Sequence, residues 1–357
     1  MKVLITAPSL DENRNVSGIS TVVRQIIKYS AFKFDHFEAG RQDGKANTLT
    51  WLIRQIVLPI RFLQRIRSFS PDVVHINTGM TWLAVCRDAV LGMAARFAGR
   101  PVVLSVHGGR YLVEPFASGL MERIAGQMLR RSRSVLVLSE LERNLLLKRW
   151  PDLSIDVLPN AVPTDVSVER DGQNELPVLI YFGRMHESKG IREIIEATKI
   201  LKAKGSSFVF RAYGDGPERE RFVGEMRQVL GESFEDGGVV SGDEKWQKLA
   251  AADIFLLPSR YGEGLPMALL EAMAAGCVVV TSDNASITTV VSDGENGYIV
   301  EPENARQLAE TLGSLLNDRT LWKPVQLAAA ATVRDRFGID SYIAKIDSIY
   351  SDAARTN

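Results

Sequence analysis

The sequence predicts an α/β protein of two domains, each an open parallel sheet with helices on its faces. At 357 residues the chain is too long for one ordinary domain and comfortable for two. In both halves, short apolar runs rich in β-branched residues alternate with longer stretches of helical period. A polar, proline-bearing segment separates the halves, and the pattern restarts after it. Such alternation is typical of parallel sheets joined by crossover helices.

The first predicted domain spans residues 1–160 and the second spans residues 178–340, with a linker at 161–177. In the first domain we expect strands at 2–6, 73–77, 102–106 and 135–138, and helices at 20–29 and 116–130. In the second we expect strands at 178–182, 208–213, 254–257 and 278–281, and helices at 191–204, 217–230, 265–275 and 304–316. Residues 341–357 are expected to form a last helix that packs back on the first domain.

Composition excludes several classes of protein. The chain is 45% hydrophobic and 24% charged, with a mean hydropathy of −0.02, so fibrous, low-complexity and wholly disordered chains are excluded. No uncharged apolar run approaches the roughly 18 residues of a membrane span, and the first eight residues do not resemble a signal peptide. Cys86 and Cys277 lie far apart in apolar segments, which favours reduced thiols over a disulfide or metal site. We therefore expect a cytoplasmic protein.

The net charge of zero conceals opposite charges in the two halves. Residues 1–160 hold 22 Lys and Arg against 13 Asp and Glu, a net +9, so the remainder carries −9. This asymmetry suggests two domains with different electrostatic roles, the alternative being a chance segregation of surface charge.

Ligands of paired α/β domains bind in loops after strands, in the cleft between the domains. Gly18 opens a helix, where a small residue would let an anion reach free N–H groups; a plain turn glycine is the alternative. His107 follows a strand and precedes two glycines, so it could hydrogen-bond a ligand hydroxyl or stabilise a developing charge, unless it satisfies a loop carbonyl. His75 lies inside a strand and is given no role. The G-x-G-x-x-G fingerprint of NAD-type binding is absent.

Two cations flank the turn after the strand at 178–182. Arg184 and Lys189 bracket the turn, and Lys189 lies where the next helix starts. Fixed cations and a helix N-terminus together suit a diphosphate, whereas a solvated surface pair is the alternative.

Glu263 and Glu271 form the strongest motif. Their spacing of eight predicts one glutamate before a helix and one two turns inside it, about 12 Å apart along the axis on one face. This separation is too large for a glycosidase pair and suits the two ends of an extended ligand. The apolar residues around Glu271 imply that its carboxylate needs a partner.

Several segments in fixed order resemble the retaining GT-B glycosyltransferases of the family 4 type, over nearly the whole chain. They are Gly183-Arg184 with Lys189-Gly190, Gly214-Asp215-Gly216-Pro217, Pro258-Ser259, the Glu263 and Glu271 pair, and residues 275–280. The resemblance implies two Rossmann-like domains facing across a deep cleft, with the acceptor on the N-terminal domain and the nucleoside diphosphate sugar on the C-terminal one.

The resemblance also implies roles for individual residues. Arg184 and Lys189 would bind the donor diphosphate, Glu263 would contact the transferred sugar and Glu271 would hold the ribose hydroxyls. His107 would lie near the donor sugar and Gly18 near the phosphates. Further donor-binding positions are Gly214, Gly264, Leu265 and Met267. Two departures are Ser17-Gly18 where the family often has a glycine doublet, and Pro266, which offers no N–H, so backbone donors there would come from Leu265 and Met267.

No metal or other cofactor is expected, because no D-x-D pair occurs and the four histidines lack ligand spacing. Arg54, Arg61 and Arg65 share a face of an apolar helical segment, which predicts contact with an anionic membrane surface; the alternative is an ordinary crossover helix kinked at Pro59. Nucleic acid is disfavoured because no binding motif accompanies the charge.

The sequence thus predicts a retaining glycosyltransferase that moves a sugar from a nucleoside diphosphate to a hydroxyl of a glycan or lipid-linked acceptor, in cell-surface polysaccharide or glycolipid assembly. It would be cytoplasmic or peripheral on the inner membrane face. The alternatives are a nucleotide-sugar epimerase of the same fold and a non-catalytic sugar-nucleotide-binding protein.

Overall fold

The computed structural model describes residues 1–11, 17–40, 49–164, 174–261 and 263–355, with only the backbone described at 49–55 and 285. Contacts divide the chain into two compact units. Unit 1 comprises Met1–Asn160 and Ile339–Asn357, and unit 2 comprises Ala161–Gly338. The predicted two-domain α/β fold is confirmed.

Unit 1 is a six-stranded parallel sheet in the order β2-β1-β3-β4-β5-β6. Its strands are β1 (Lys2–Ala7), β2 (Lys33–Glu38), β3 (Val73–Thr78), β4 (Val102–Val106), β5 (Ser134–Val137) and β6 (Ile155–Val157). Its helices are α1 (Gly18–Tyr29), α2 (Leu49–Phe69), α3 (Trp82–Phe97), α4 (Arg110–Val113), α5 (Gly119–Arg130) and α6 (Glu140–Arg149).

Unit 2 repeats this architecture with the sheet order β12-β11-β10-β7-β8-β9, again all parallel. Its strands are β7 (Val178–Phe182), β8 (Val209–Tyr213), β9 (Phe234–Gly238), β10 (Ile254–Leu257), β11 (Val278–Ser282) and β12 (Tyr298–Val300). Its helices are α7 (Ile191–Ala203), α8 (Arg219–Leu230), α9 (Gly242–Ala250), α10 (Met267–Ala274), α11 (Ala305–Asn317) and α12 (Trp322–Arg336).

The last helix, α13 (Ile339–Arg355), packs within unit 1. Its fully buried Tyr350 donates or accepts a 2.6 Å hydrogen bond with Nδ1 of His75 on β3, and its ring meets that of Phe34 on β2. The C-terminal segment therefore completes the core of the unit in which the chain begins.

Helix α2 carries the three arginines that were predicted to share one basic face, Arg54, Arg61 and Arg65, but Arg65 is paired with an acidic residue. The guanidinium of Arg65 forms two hydrogen bonds with the carboxylate of Asp35 on β2, one of them at 2.6 Å, and these bonds raise the pKa of Arg65. Arg61 is exposed, whereas the side chain of Arg54 lies outside the described residues. Phe62 is fully buried against Phe37, so this side of the helix packs on the sheet as a crossover helix does.

No helix among the described residues is both long enough and apolar enough to cross a bilayer.

Candidate active site

The loops after β7, β8 and β10 lie at one edge of the unit 2 sheet, because parallel strands end on the same side. This edge brings Lys189 and Glu263 together although they are 74 residues apart. The Nζ atom of Lys189 donates to Oε1 of Glu263 at 2.6 Å, and Oγ of Ser259 donates to the same oxygen at 2.5 Å. These two donors, one ammonium and one hydroxyl, offset the cost of removing the Glu263 carboxylate from water.

Tyr181, a buried residue of β7, holds the loop that follows this strand. Its hydroxyl donates to the Arg184 carbonyl at 2.7 Å, and burial together with the Glu263 charge raises the pKa of Tyr181 well above its ordinary value. The phenol therefore stays protonated and keeps the loop in place. The side chain of Arg184 is exposed beside it.

Two glycines allow these loops to touch. Gly190 has φ +72°, and a Cβ there would lie 1.9 Å from the Pro258 carbonyl oxygen. Gly214 has φ +137°, and its Cβ would lie 1.9 Å from the Gly183 carbonyl oxygen. Larger residues at either position would force the loops apart. Gly214, which is predicted to bind the donor, is therefore also required by the packing of the two loops; its contact with the donor stays a prediction.

Glu271 is the second buried carboxylate of this edge. It belongs to α10, and its Oε2 accepts a hydrogen bond from Nζ of Lys245 on α9. The ammonium of Lys245 also lies 5.5 Å from the Phe182 ring centroid, and that ring stacks on Tyr213 at 4.7 Å. Lys245 supplies the partner that the apolar surroundings of Glu271 require. Lys245 was not predicted from the sequence, because nothing in its local pattern distinguishes it from other surface lysines.

The helical geometry assigned to the two glutamates is wrong. Helix α10 begins at Met267, with Pro266 as its N-cap, so Glu271 lies about one turn inside the helix. Residues 263–266 are not helical, and the rise of about 12 Å along one axis therefore does not apply. The proline removes an N–H and ends the loop where the helix starts.

The remaining predicted donor positions lie at the start of α10. Gly264 is half-buried, while the side chains of Leu265 and Met267 are buried in the unit 2 core, so only their backbone groups could meet a ligand. The first-turn N–H groups of α10 have no acceptor within the helix, which is the property that attracts anions.

His107 lies at the corresponding edge of unit 1, after β4. Its Nε2 is 2.7 Å from Oδ1 of Asn77, whose own amide donates to the Thr6 carbonyl at 2.9 Å. Burial lowers the pKa of His107 from 6.5 to about 4, so the ring is neutral at pH 7. Because Asn77 presents its oxygen, Nε2 carries the proton and Nδ1 can only accept a hydrogen bond. Accepting from a hydroxyl fits this state, whereas stabilising a developing negative charge does not.

Gly18 is the first residue of α1, and no described atom lies within 4 Å of where its Cβ would be. Its φ is not positive, so the fold does not need glycine for the backbone conformation. Open space at a helix N-terminus is compatible with the anion-binding interpretation, which stays a prediction. His75 is fully buried between Tyr350 and Ser105, as expected for a residue without a role.

Among the described residues, no three His, Cys, Asp or Glu side chains are grouped as a metal site would need.

Two family models match the chain, one in each half. Residues 31–161 match the family model of the glycosyl transferase 4-like domain, and residues 167–333 match that of the glycosyl transferases group 1. The chain is 25% identical to alpha-D-kanosaminyltransferase of Streptomyces kanamyceticus, over 85% of this chain and 83% of that protein. It is 35% identical to a putative colanic acid biosynthesis glycosyltransferase, WcaL of Salmonella typhimurium, over 44% of this chain and 41% of that protein.

Solved structures share the fold at low sequence identity. Sucrose-phosphate synthase of Thermosynechococcus elongatus matches with a TM-score of 0.78 at 17% identity, over the whole of both chains. Anabaena HepE, solved in complex with UDP-glucose, matches with a TM-score of 0.76 at 17% identity, over 99% of this chain and 100% of that one. Since the two family models together span most of its length, the chain belongs to the group 1 glycosyltransferases and transfers sugars from a nucleotide donor.

Proposed function

We propose that the enzyme is a retaining, metal-independent glycosyltransferase whose donor site is the carboxyl-terminal edge of the unit 2 sheet. The observation that supports this most is the presence there of two buried carboxylates, Glu263 and Glu271, each held by its own lysine. A ligand with a diphosphate in the middle and a neutral polyol at either end suits such an arrangement.

The diphosphate would lie between Arg184, Lys189 and the start of α10. Two cations and the free N–H groups of a helix provide the neutralisation that other enzymes obtain from a metal ion. Glu263 would then meet the transferred sugar and Glu271 the ribose hydroxyls, with the Gly214 and Gly264 backbones close to the donor. In unit 1, Gly18 would leave room for the phosphates, and Nδ1 of His107 would accept from a sugar hydroxyl.

Retention would follow from attack on the face from which the diphosphate departs. The acceptor hydroxyl forms the new C–O bond, the anomeric C–O bond to phosphate breaks, and the leaving phosphate oxygen takes the hydroxyl proton. The positive groups around the diphosphate stabilise the charge that develops on it.

The acceptor would be a hydroxyl of a glycan or lipid-linked glycan in cell-surface polysaccharide assembly, at the inner face of the cytoplasmic membrane. This proposal rests on relatives named for colanic acid, amylovoran and teichuronic acid biosynthesis and on the basic, acceptor-side half of the chain.

A thermal-shift panel of UDP-, GDP- and ADP-sugars tests the donor, since at equal concentration the ligand that binds more tightly raises the unfolding midpoint further. NMR analysis of the product's anomeric configuration then tests retention. Inverted product would overturn the retaining mechanism, and an epimerised sugar from donor alone would show an epimerase instead.

A further inference from the structure

Helix α3 of unit 1 carries an apolar stripe on the side that faces solvent. Trp82 is 55% exposed, Met93 is 50% exposed and Phe97 is 83% exposed, and Val90 lies between them on the same face. The opposite face packs on the sheet through buried residues such as Leu91. A helix on the surface of a globular protein normally presents polar residues there.

The helices on both sides of α3 extend this apolar surface. Contacts place α2 and α5 beside α3. Ile56 and Ile60 of α2 are 73% and 57% exposed, and Leu120 of α5 is 66% exposed. We call the outward surface of these three helices the α2–α3–α5 face. Exposed apolar side chains clustered on neighbouring elements indicate an interaction site.

The exposed charges of the α2–α3–α5 face are positive. Helix α2 contains no acidic residue. The one acid of α3, Asp88, is fully buried beside Arg87, and the one acid of α5, Glu122, pairs with Arg149 at 2.6 Å.

Five exposed arginines lie on these three helices or at the end of α5: Arg61, Arg67, Arg96, Arg123 and Arg131. None of the ion pairs between described residues involves them. The α2–α3–α5 face is therefore both apolar and basic.

A cavity of about 200 Å³ opens between α3 and α5. Ile76, Leu104 and Met128 line it, together with the guanidinium-bearing side chains of Arg96 and Arg123. It reaches Val102, the first residue of β4, whereas His107 follows the last residue of that strand. The cavity thus lies away from the edge to which the sugar site is assigned.

We propose that the α2–α3–α5 face docks onto the surface of an anionic lipid bilayer, with the stripe of α3 entering the boundary between headgroups and acyl chains. Arginines around exposed aromatic and aliphatic side chains complement lipid phosphates and acyl chains at once. A second copy of this chain fits less well, because a two-fold interface would bring the same arginines against each other. The proposal is independent of the donor chemistry.

Vesicle sedimentation tests it, using the full chain and vesicles of phosphatidylcholine with or without phosphatidylglycerol. The wild type should bind the anionic vesicles, with binding lost at high salt because exposed charges are screened. Trp82→Ser with Phe97→Ser should lower the partition coefficient about tenfold or more, since apolar burial is lost. Arg123→Glu with Arg131→Glu should lower it by at least about fivefold per site.

Leu327→Ser with Lys323→Glu on α12 is the matched control, because both residues are exposed in unit 2. Circular dichroism, and binding of the nucleoside diphosphate that the thermal-shift panel identifies, should be unchanged in all variants. Equal partition of the wild type and both face variants would overturn the proposal, as would equal binding to neutral vesicles. Light scattering that shows a dimer dissociated by Phe97→Ser would instead assign the face to self-association.

Discussion

The carboxyl-terminal edges of the two sheets carry different kinds of polar group. In unit 2, two buried glutamates are each paired with a lysine, Glu263 with Lys189 and Glu271 with Lys245. In unit 1, the corresponding edge carries His107, whose burial keeps it neutral. The same architecture therefore presents fixed charge in one unit and neutral hydrogen-bonding groups in the other.

This difference is consistent with different proposed binding roles for the two units. A diphosphate needs cations that are already in place, and carboxylates beside them keep those cations oriented while offering acceptors to hydroxyls. A neutral imidazole with one accepting nitrogen discriminates among hydroxyls without repelling or attracting charge. Variants that remove the fixed charges of unit 2 or the neutral histidine of unit 1 test whether the two edges differ in this way.

The largest effect should come from Glu263→Gln. Loss of the carboxylate at the reacting sugar should lower turnover about 100-fold, the usual scale for one lost electrostatic contact in the transition state. Binding of free nucleoside diphosphate should not weaken, because Lys189 no longer has a competing partner. Turnover at saturating donor and calorimetry measure the two quantities, with Glu122→Gln in unit 1 as the control. Full activity would contradict this placement of Glu263.

Arg184→Ala and Lys189→Ala should each weaken nucleoside diphosphate binding about 10- to 100-fold, because charge-assisted hydrogen bonds are lost. Binding of the nucleoside alone should hardly change. Calorimetry with both ligands checks this, and Lys199→Ala on α7 removes a surface cation outside the edge. Unchanged diphosphate affinity in both variants would refute the clamp.

Glu271→Gln should weaken the nucleoside and its diphosphate by the same factor, about tenfold, since it is assigned to the ribose. Lys245→Met should reproduce the effect, because Lys245 holds this carboxylate. A fall in turnover without any loss of nucleoside affinity would move Glu271 to the other end of the donor.

The neutral histidine predicts a pH effect in unit 1. His107 has a folded-state pKa of about 4 against about 6.5 when unfolded. Between these values the unfolded chain binds a proton that the folded chain does not. The free energy of unfolding should therefore fall as the pH is lowered from 6.5 towards 4, by at most about 1.4 kcal/mol per pH unit for this residue.

His75, with a pKa lowered by burial to about 3, acts in the same direction. His107→Gln should flatten the dependence while keeping a donor for Asn77. Urea unfolding of both proteins at pH 7, 6 and 5 measures the slope, and an unchanged slope would show that His107 is charged in the folded state.

The smallest effect is expected from metal removal. Excess EDTA should leave activity unchanged if Arg184, Lys189 and the start of α10 neutralise the diphosphate. A loss that added Mg²⁺ or Mn²⁺ restores would show that a metal ion performs this task.

The strands show which parts of the fold the sequence pattern predicts correctly. Among the described residues, all eight interior strands of the two sheets were predicted, and β4, β7 and β10 have the expected bounds. The four that were missed, β2, β6, β9 and β12, are the edges of the two sheets. An interior strand is covered on both faces and is therefore mostly apolar, whereas an edge strand is short or polar and resembles a loop.

The helices depart from prediction mainly at their starts. Helix α5 begins at Gly119 rather than 116, α8 at Arg219 rather than 217, and α10 at Met267 rather than 265. At α10 the reason is Pro266, which disfavours the helical conformation at Leu265, the residue before it. The apolar period does not reveal this restriction, and at α5 and α8 it likewise places the start two or three residues too early.

By itself, the sequence determined the two repeated α/β patterns, the interior strands and the loops in which Arg184, Lys189, Glu263 and Glu271 lie, because these depend on local periodicity and on turn residues. Tertiary structure decided which lysine holds which glutamate, the neutral state of His107 and the apolar surface of α3. Pairing across 74 residues depends on the order of strands in a sheet. The degree of burial is likewise a property of the packed chain rather than of any segment. It lowers the pKa of His107, which is buried, and Phe97 is left exposed to solvent.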